Sequence, residues 1–189
     1  RLCRDWSSDV CSSDLQEEYQ KQKLIAAFQF TYRGAPMIYY GDEVGMWGAD
    51  DPHVRKPMVW NELVYEDEVI TELSQFQKGH GRYTVEVNQD LLNFYKKIIS
   101  IRNNNEALVL GDVNFIYQND RNNCFAFIRT YNDKRVLVLF NNDSNQHRIE
   151  VEFFTNGMVN LLTNEVLNHD RDSFKVTLKP YSFQIYELK

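Results

Sequence analysis

The stretch FQFTYRGAPMIYYGDEVGM, residues 28–46, decides the fold. Apolar side chains recur at helical spacing over residues 16–32, which predicts a helix that becomes apolar toward its end. Gly34 supplies a stop signal, and residues 35–40 form an almost wholly apolar run of strand length. A helix, a tight turn and a buried strand make up half of a repeating unit of a parallel α/β fold.

A long loop and a second helix are predicted after this stretch. Residues 41–87 show no sustained periodicity, and connections of this length are usually functional. Residues 88–105 then predict a helix that begins at Asn88, a residue type favoured as an N-cap. One face of this helix carries Leu91, Leu92, Tyr95, Ile98, Ile99 and Arg102.

The pattern changes to a period of two after Gly111. Six segments alternate in this way, separated by turn residues such as those in YNDK and NNDSN. They predict an antiparallel β-domain, a sandwich, over residues 111–189, following an α/β part over residues 16–110. The six segments are DVNFIYQ, CFAFIRTY, RVLVLFNN, HRIEVEFF, SFKVTL and SFQIYEL.

The first fifteen residues differ in residue pattern from the rest of the chain. SSDV is followed almost at once by SSDL, and DWSSDVCSSDL resembles a sequencing adapter translated in frame. We therefore interpret residues 1–15 as an adapter-like artefact, expect them to be disordered, and exclude them from the fold. Without them the formal net charge changes from -6 to 19 minus 24, or -5.

Composition excludes several classes of partner and site. The acidic balance and the lack of a Lys/Arg cluster longer than Arg55-Lys56 or Lys96-Lys97 argue against nucleic acid. No apolar stretch is long enough to predict a membrane span. After residues 1–15 are set aside, Cys124 remains alone at a predicted buried strand position, so neither a disulfide framework nor a cysteine-ligated metal is expected.

The motifs GAPMIYYGDE and DDPHVR, followed by FYKKIISIRNNNEALVLGD, resemble the C-terminal part of glycoside hydrolase family 13, the α-amylase family. Within that family the cyclomaltodextrinase and neopullulanase group is most similar, and the resemblance covers residues 20–189. It implies the last elements of a (β/α)₈ barrel, with the long substrate loop after its eighth strand, followed by a β-sandwich called domain C. The implied fold class is therefore α/β plus all-β.

The resemblance also implies a sugar site in the long loop, because active sites of such barrels lie at the carboxyl ends of the strands. Asp51 and Arg55 match the Asp-Pro-x-x-Arg motif, whose acid and arginine contact glucose hydroxyls at donor subsites. A salt bridge within the loop is the alternative for this pair. Tyr40 and His53 are further candidates to line the cleft, and Trp47 to stack on a sugar ring.

Other polar and aromatic residues of the chain are weaker candidates. Asp42 and Glu43 are adjacent and point to opposite faces, so they cannot flank one glycosidic oxygen, and a structural role is expected. Trp60 is as readily a core residue as a stacking platform. The three remaining histidines lack metal-ligand spacing and are expected on the surface: His80, His147 and His169.

In members of the family, the nucleophilic Asp, the acid/base Glu and the His-Asp pair all lie upstream of the position that corresponds to residue 20 of this chain. No catalytic residue is therefore assigned here, and the chain alone is expected to be inactive. The expected parent is a retaining α-1,4-glucan hydrolase whose partner is an α-glucan or cyclodextrin, with no cofactor in this segment. A structural calcium ion elsewhere in the parent, its dimerisation, and its location in cytoplasm or periplasm all stay open.

Three alternatives differ in function class. A family relative that transfers or isomerises glucosyl units would carry the same loop. A noncatalytic scaffold would keep the fold and lack the upstream catalytic residues. A free-standing carbohydrate-binding β-domain is disfavoured, because residues 16–105 would then have no role.

Overall fold

The computed structural model describes residues 12–46, 55–70, 81–168 and 173–189. The described chain falls into two compact units. The first contains Met37–Tyr95 and the chain up to Tyr19, and the second contains Gln20–Pro36 and Lys96–Lys189. The elements are α1 (Ser12–Thr31), a 3₁₀ turn (Asp42–Val44), β1 (Glu68–Ile70), β2 (Gly81–Tyr83), α2 (Gln89–Asn103), α3 (Glu106–Leu110), β3 (Asp112–Asn119), β4 (Cys124–Tyr131), β5 (Lys134–Asn141), β6 (His147–Glu152), β7 (Gly157–Asn160), β8 (Val166–Asn168), β9 (Ser173–Leu178) and β10 (Ser182–Leu188).

The second unit is built on a six-stranded antiparallel sheet. Its strands lie in the order β3-β4-β5-β10-β7-β8, and β6 and β9 form a separate two-stranded antiparallel sheet. β4 and β5 pair from Cys124 opposite Asn141 to Tyr131 opposite Lys134. The predicted antiparallel β-domain is confirmed, and all six predicted strands are present.

An apolar core joins the two sheets. Alternate residues of β4 and β5 meet residues of β6, β7, β9 and β10 in one buried cluster. Each fully buried aliphatic side chain of this size contributes roughly 1.5–3 kcal/mol. The cluster contains Cys124, Ala126, Ile128, Leu137, Leu139, Ile149, Val151, Met158, Leu178, Tyr186 and Leu188.

The opposite face of the six-stranded sheet packs against α1 through aromatic rings. The Phe28 ring meets those of Phe125, Phe127 and Phe140 edge-on, with centroid distances of 6.0, 6.4 and 5.9 Å. Tyr32 stacks on Phe28 at 4.8 Å. Edge-on and stacked pairs of this kind add to the free energy of area burial. Both faces of β4 and β5 are therefore covered.

The start of α2 agrees with the sequence prediction. The Asn88 side-chain oxygen accepts a hydrogen bond from the backbone N–H of Leu91 at 3.0 Å, which is the contact of an N-cap. The predicted apolar face is confirmed, with Leu91 and Ile98 fully buried and Arg102 6% exposed at its end.

The apolar run at residues 35–40 is the main departure from the predicted elements. Residues 35–39 are in neither helix nor strand, and among the described residues no sheet includes them. Met37 is 74% exposed and Tyr39 53% exposed, so the expectation of a buried strand is wrong for the chain as it stands. A strand needs neighbours to accept and donate its backbone hydrogen bonds, and the described chain offers none there.

Element boundaries and short elements also differ. Helix α1 begins at Ser12 and not Gln16, so the last four residues of the segment interpreted as disordered are helical. The short elements α3, β1, β2, β7 and β8 have no counterpart in the sequence prediction. Elements of three to five residues carry too little periodic signal to be recognised.

None of the helices in the described ranges combines the length and the apolarity that crossing a membrane requires.

Candidate substrate-binding loop

The loop begins with a tight glycine-flanked turn. The 3₁₀ turn Asp42–Val44 lies between Gly41 and Gly45, whose φ angles are 97° and 72°. Positive φ values favour glycine, and a Cβ added at Gly45 would also lie 3.1 Å from the Asn88 Cβ. The backbone N–H of Asn88 donates to the Val44 carbonyl at 2.9 Å, which ties the turn to the start of α2.

The adjacent acids of the turn are used locally. A Glu43 carboxylate oxygen accepts a hydrogen bond from the Gly41 backbone N–H at 2.9 Å. Burial raises the pKa of Asp42, the neighbouring Glu43 charge raises it further, and a hydrogen bond from the Tyr39 backbone opposes the change. These contacts agree with the structural role expected for the pair.

Tyr40 ties the start of the loop to a point sixteen residues further along the chain. Its hydroxyl donates to the Lys56 carbonyl at 2.9 Å, across sixteen residues of sequence. The Tyr39 and Tyr40 ring centroids are 5.0 Å apart. Because Lys56 follows Arg55 directly, the hydrogen bond holds the backbone beside the exposed Arg55 side chain. Tyr40 therefore acts here as a loop tether, a role that its apolar sequence context did not indicate.

The predicted site residues are only partly within the described chain. Tyr40 and Arg55 are described and lie near each other through the Lys56 contact. Asp51, Trp47 and His53 lie outside the described residues, so the pairing of Asp51 with Arg55 stays a prediction.

The weaker candidates have different outcomes. The Trp60 side chain is 56% exposed, which argues against the core role within the described chain. His147 is half-buried with its Nε2 3.1 Å from an Asp143 carboxylate oxygen, so the expectation of an ordinary surface residue is wrong for it. His80 and His169 lie outside the described residues. Within those residues no group of three His, Cys, Asp or Glu side chains is placed to hold a metal ion.

Sequence reasoning missed two buried arginines. Arg102 was predicted on the apolar face of α2, without a partner, and Arg129 of β4 was not singled out. A lone arginine among the apolar residues of CFAFIRTY was the available signal, because an arginine is rarely fully buried unless paired. Burial lowers the pKa of Arg129 to about 10, and the positive charges of Arg102 and Arg33 lower it as well.

Comparison with known proteins places this loop and both parts of the chain in one family. A model of the α-amylase catalytic domain matches residues 6–111, and a model of the maltogenic amylase C-terminal domain matches residues 113–185. The chain belongs to the α-amylase family. The catalytic-domain match includes residues 6–15, and the interpretation of residues 1–15 as an artefact stays a prediction.

Curated members of the α-amylase family align with most of this chain. Neopullulanase 2 of Thermoactinomyces vulgaris is 33% identical over 168 residues, which cover 87% of this chain and 25% of the relative. A cyclomaltodextrinase of Geobacillus thermopakistaniensis strain MAS1 is 31% identical over 182 residues, which cover 95% of this chain and 26% of the relative. The chain thus spans about a quarter of the length of the curated relatives it matches.

A solved member of the family shares the fold. The crystal structure of an α-amylase from Geobacillus thermoleovorans, complexed with acarbose, superposes with a TM-score of 0.71 and 22% identity. The superposition covers 90% of this chain and 33% of that one. At this identity the likeness concerns the fold alone.

Proposed function

We propose that this chain forms the end of a retaining α-1,4-glucan hydrolase that degrades cyclodextrins, maltooligosaccharides or pullulan. The observation that carries the proposal is the 33% identity to a neopullulanase over 87% of the chain, including the loop. The cyclomaltodextrinase relative, 31% identical over 95% of the chain, supports a carbohydrate as the ligand class. The chain supplies the last elements of the catalytic domain and the β-domain that follows it.

The chemistry of the loop fits a neutral ligand that is rich in hydroxyl groups. A carboxylate at Asp51 accepts hydrogen bonds from sugar hydroxyls, and the guanidinium at Arg55 donates to sugar oxygens from a fixed planar fork. Trp47 offers an aromatic face for a sugar ring, and Tyr40 and His53 line the same loop. The Tyr40–Lys56 hydrogen bond supports this proposal because it anchors the backbone next to Arg55.

Under this proposal, the chain by itself binds substrate but does not cleave it. Retention requires two carboxyl groups about 5–5.5 Å apart across the scissile bond, one as nucleophile and one as acid/base. The family assigns both to positions upstream of the segment matched here. Purified chain incubated with β-cyclodextrin, maltoheptaose or pullulan is therefore expected to release no reducing ends above the buffer level. Sustained turnover would contradict the assignment of catalysis to upstream residues.

A chimera tests the proposed activity directly. Residues 16–189 replace the matching quarter of neopullulanase 2 from Thermoactinomyces vulgaris, and the rest of that enzyme stays in place. We expect the chimera to hydrolyse its α-glucan substrate and to release the α-anomer, as a retaining mechanism requires. The intact neopullulanase is the positive control. A chimera that folds and binds glucan without turnover would contradict the proposal, and transfer products would favour the transferase alternative. The noncatalytic scaffold is tested by the sequence encoded upstream of Gln16, which that alternative predicts to lack the catalytic Asp, Glu and His-Asp positions.

A further inference from the structure

The start of β7 contains the one Asn-Gly pair of the sequence, Asn156-Gly157. The Asn156 side chain is exposed, and the backbone bends there before β7 begins at Gly157. An asparagine side chain can be attacked by the backbone nitrogen of the next residue, and a Cβ on that residue obstructs the attack. Glycine has no Cβ and allows close approach to its backbone. The pair therefore marks a position at which the chain can modify itself.

The backbone hydrogen bonds at this end of β7 depart from a regular ladder. The Lys189 N–H donates to the Gly157 carbonyl at 2.8 Å, and in a regular antiparallel pair the Gly157 N–H would donate back to the Lys189 carbonyl. Here the Asn156 N–H donates to that carbonyl, at 3.2 Å. Two residues thus lie opposite one, as in a β-bulge. The backbone donor that ties the start of β7 to Lys189 is therefore Asn156 and not Gly157.

Thr155 closes the same junction from the other side of Asn156. Its buried hydroxyl shares one hydrogen between the carbonyls of Gly157, at 2.8 Å, and Lys189, at 2.7 Å. The same hydroxyl accepts a hydrogen bond from the Lys189 N–H at 3.1 Å. Residues 155 and 157 thus both hold the backbone of Lys189, which directly follows β10, and Asn156 sets the spacing between them.

We propose that Asn156 is a site of spontaneous deamidation, and that the isoaspartate formed there loosens the junction between β7 and the end of β10. The Gly157 nitrogen attacks Cγ of Asn156 and forms a C–N bond. The side-chain nitrogen leaves as ammonia and takes up the proton that the Gly157 N–H loses. Water then opens the cyclic imide. Opening at one carbonyl gives aspartate, and opening at the other gives isoaspartate, whose backbone runs through the former side chain.

Isoaspartate is the product that disturbs the junction. It adds one methylene group to the backbone between Thr155 and Gly157, whereas aspartate keeps the backbone length and changes only the charge. Because residues 155 and 157 both bond to Lys189, a longer spacer moves at least one of them away from its partner. All of these residues belong to the second compact unit, so the inference does not depend on the proposed sugar site.

Peptide mapping of the aged chain tests the modification. The whole chain is incubated in mildly alkaline buffer, in which the Gly157 N–H loses its proton more readily, and isoaspartate is located by isoaspartyl methyltransferase labelling and mass spectrometry. We expect it to accumulate at Asn156 at least about tenfold faster than at Asn164, because Asn164 is followed by Glu165, which carries a Cβ. Asn164 is a suitable internal control because it is exposed in the turn after β7. Equal rates at the two positions would overturn the proposal.

Gly157→Ala is the matched variant. A Cβ at Gly157 would lie 3.4 Å from the Leu167 carbonyl oxygen, which is an ordinary contact, so we expect this variant to fold. We expect it to slow isoaspartate formation about tenfold or more. If it does not fold, Asn156→Gln at the exposed position replaces it, since the longer side chain must close a larger ring. An unchanged rate of isoaspartate formation in the folded variant would overturn the role of the Gly157 nitrogen.

A synthetic peptide of residues 152–161 gives the rate without the fold. We expect the rate in the chain to lie within about a hundredfold of the rate in the peptide, because the start of a strand opens more readily than its centre. A slower rate in the chain would show that the sheet protects Asn156, and it would overturn the proposal.

Thermal unfolding tests the effect on the junction. The isoaspartate form, separated by chromatography, is expected to melt several degrees below the fresh chain. Asn156→Asp carries the new charge without the extra methylene group, and we expect its Tm to lie within about two degrees of that of the fresh chain. An isoaspartate form that melts together with the fresh chain would overturn the loosening. An equal loss of Tm in Asn156→Asp would overturn it as well, because the charge would then be the cause.

Discussion

At Arg55, a sugar contact and a salt bridge within the loop predict different kinetics. In the chimera, Arg55→Ala removes charge-assisted hydrogen bonds to the donor sugars, and we expect kcat/KM on a long substrate to fall about 10- to 150-fold. The loss shrinks on a substrate with a single donor sugar, because contacts never made cannot be lost.

The control for this change is Arg121→Ala, another exposed arginine, in the turn between β3 and β4. We expect it to leave kcat/KM within about twofold, in line with ordinary surface substitutions. Equal losses on long and short substrates, together with a lowered Tm, would assign Arg55 to the scaffold of the loop.

Asp143 gives a second residue-scale prediction, on the pH dependence of stability. One of its carboxylate oxygens accepts hydrogen bonds from the Asn145 backbone at 2.7 Å and from the Asn145 side chain at 2.9 Å, with His147 at 3.1 Å. The Asn145 backbone N–H, then His147 and the Asn145 side chain hold the pKa of Asp143 below its ordinary value of 3.8. A depressed folded pKa means that this stabilisation is present above pH 3.8 and is lost as the pH falls through the folded pKa.

We therefore expect Asp143→Asn to lower the Tm at pH 7 and the difference from the unsubstituted chain to narrow below about pH 4. Thermal unfolding followed by circular dichroism between pH 2 and pH 7 measures it. Asp133→Asn, in the exposed turn between β4 and β5, serves as the control. A difference that is constant over this range would show that the carboxylate charge of Asp143 is not involved.

At the scale of elements, the first turn of α2 depends on one side chain. Asn88→Ala removes the acceptor for the Leu91 N–H, and we expect the free energy of unfolding to fall by about 1 kcal/mol, with a range of about 0.5–2. Urea unfolding of the chain measures the change. Asn93→Ala, an exposed position inside the same helix, lacks the capping contact and is expected to be neutral or slightly stabilising because alanine has the higher helix propensity.

The junction between α3 and β3 makes a stronger prediction. A Cβ at Gly111 would lie 2.3 Å from the Ala107 carbonyl oxygen and 2.7 Å from that of Thr130, both backbone atoms. Gly111→Ala is therefore expected to destabilise the chain by more than about 3 kcal/mol. Gly34→Ala is the comparison, since no atom lies within 4 Å of its Cβ and only its φ of +112° is unfavourable. A smaller loss at Gly111 than at Gly34 would contradict the steric reason.

At the scale of the whole molecule, the boundary predicted at residue 111 does not coincide with the edge of a compact unit. The second unit includes Gln20–Pro36, whose Phe28 and Tyr32 cover the aromatic face of the six-stranded sheet. We expect the separate piece 111–189 to expose that face, to bind the dye ANS and to melt several degrees below the piece 16–189. Equal Tm values without dye binding would show that the β-domain is independent of α1.

Much of this architecture could be predicted from local sequence alone. The alternation of apolar and polar residues predicts six strands, because every second residue of a strand faces an apolar layer. Asn88 predicts the start of α2, because its side chain accepts a hydrogen bond from a backbone N–H only three residues away. Family membership was likewise readable from GAPMIYYGDE and DDPHVR, and the comparisons confirm it.

Other features were decided only by the tertiary structure. The sequence of residues 35–40 predicts a buried strand. A strand forms only where neighbouring strands pair with it, and the described chain has none beside these residues. The hydrogen bond from Tyr40 to Lys56 spans sixteen residues, and that from Arg129 to Thr31 spans ninety-eight. Strand alternation and helix capping depend on residues a few positions apart, so they can be predicted from the local sequence. The hydrogen-bond partners of a buried arginine or of a strand are residues distant in sequence, so they are determined only when the chain folds.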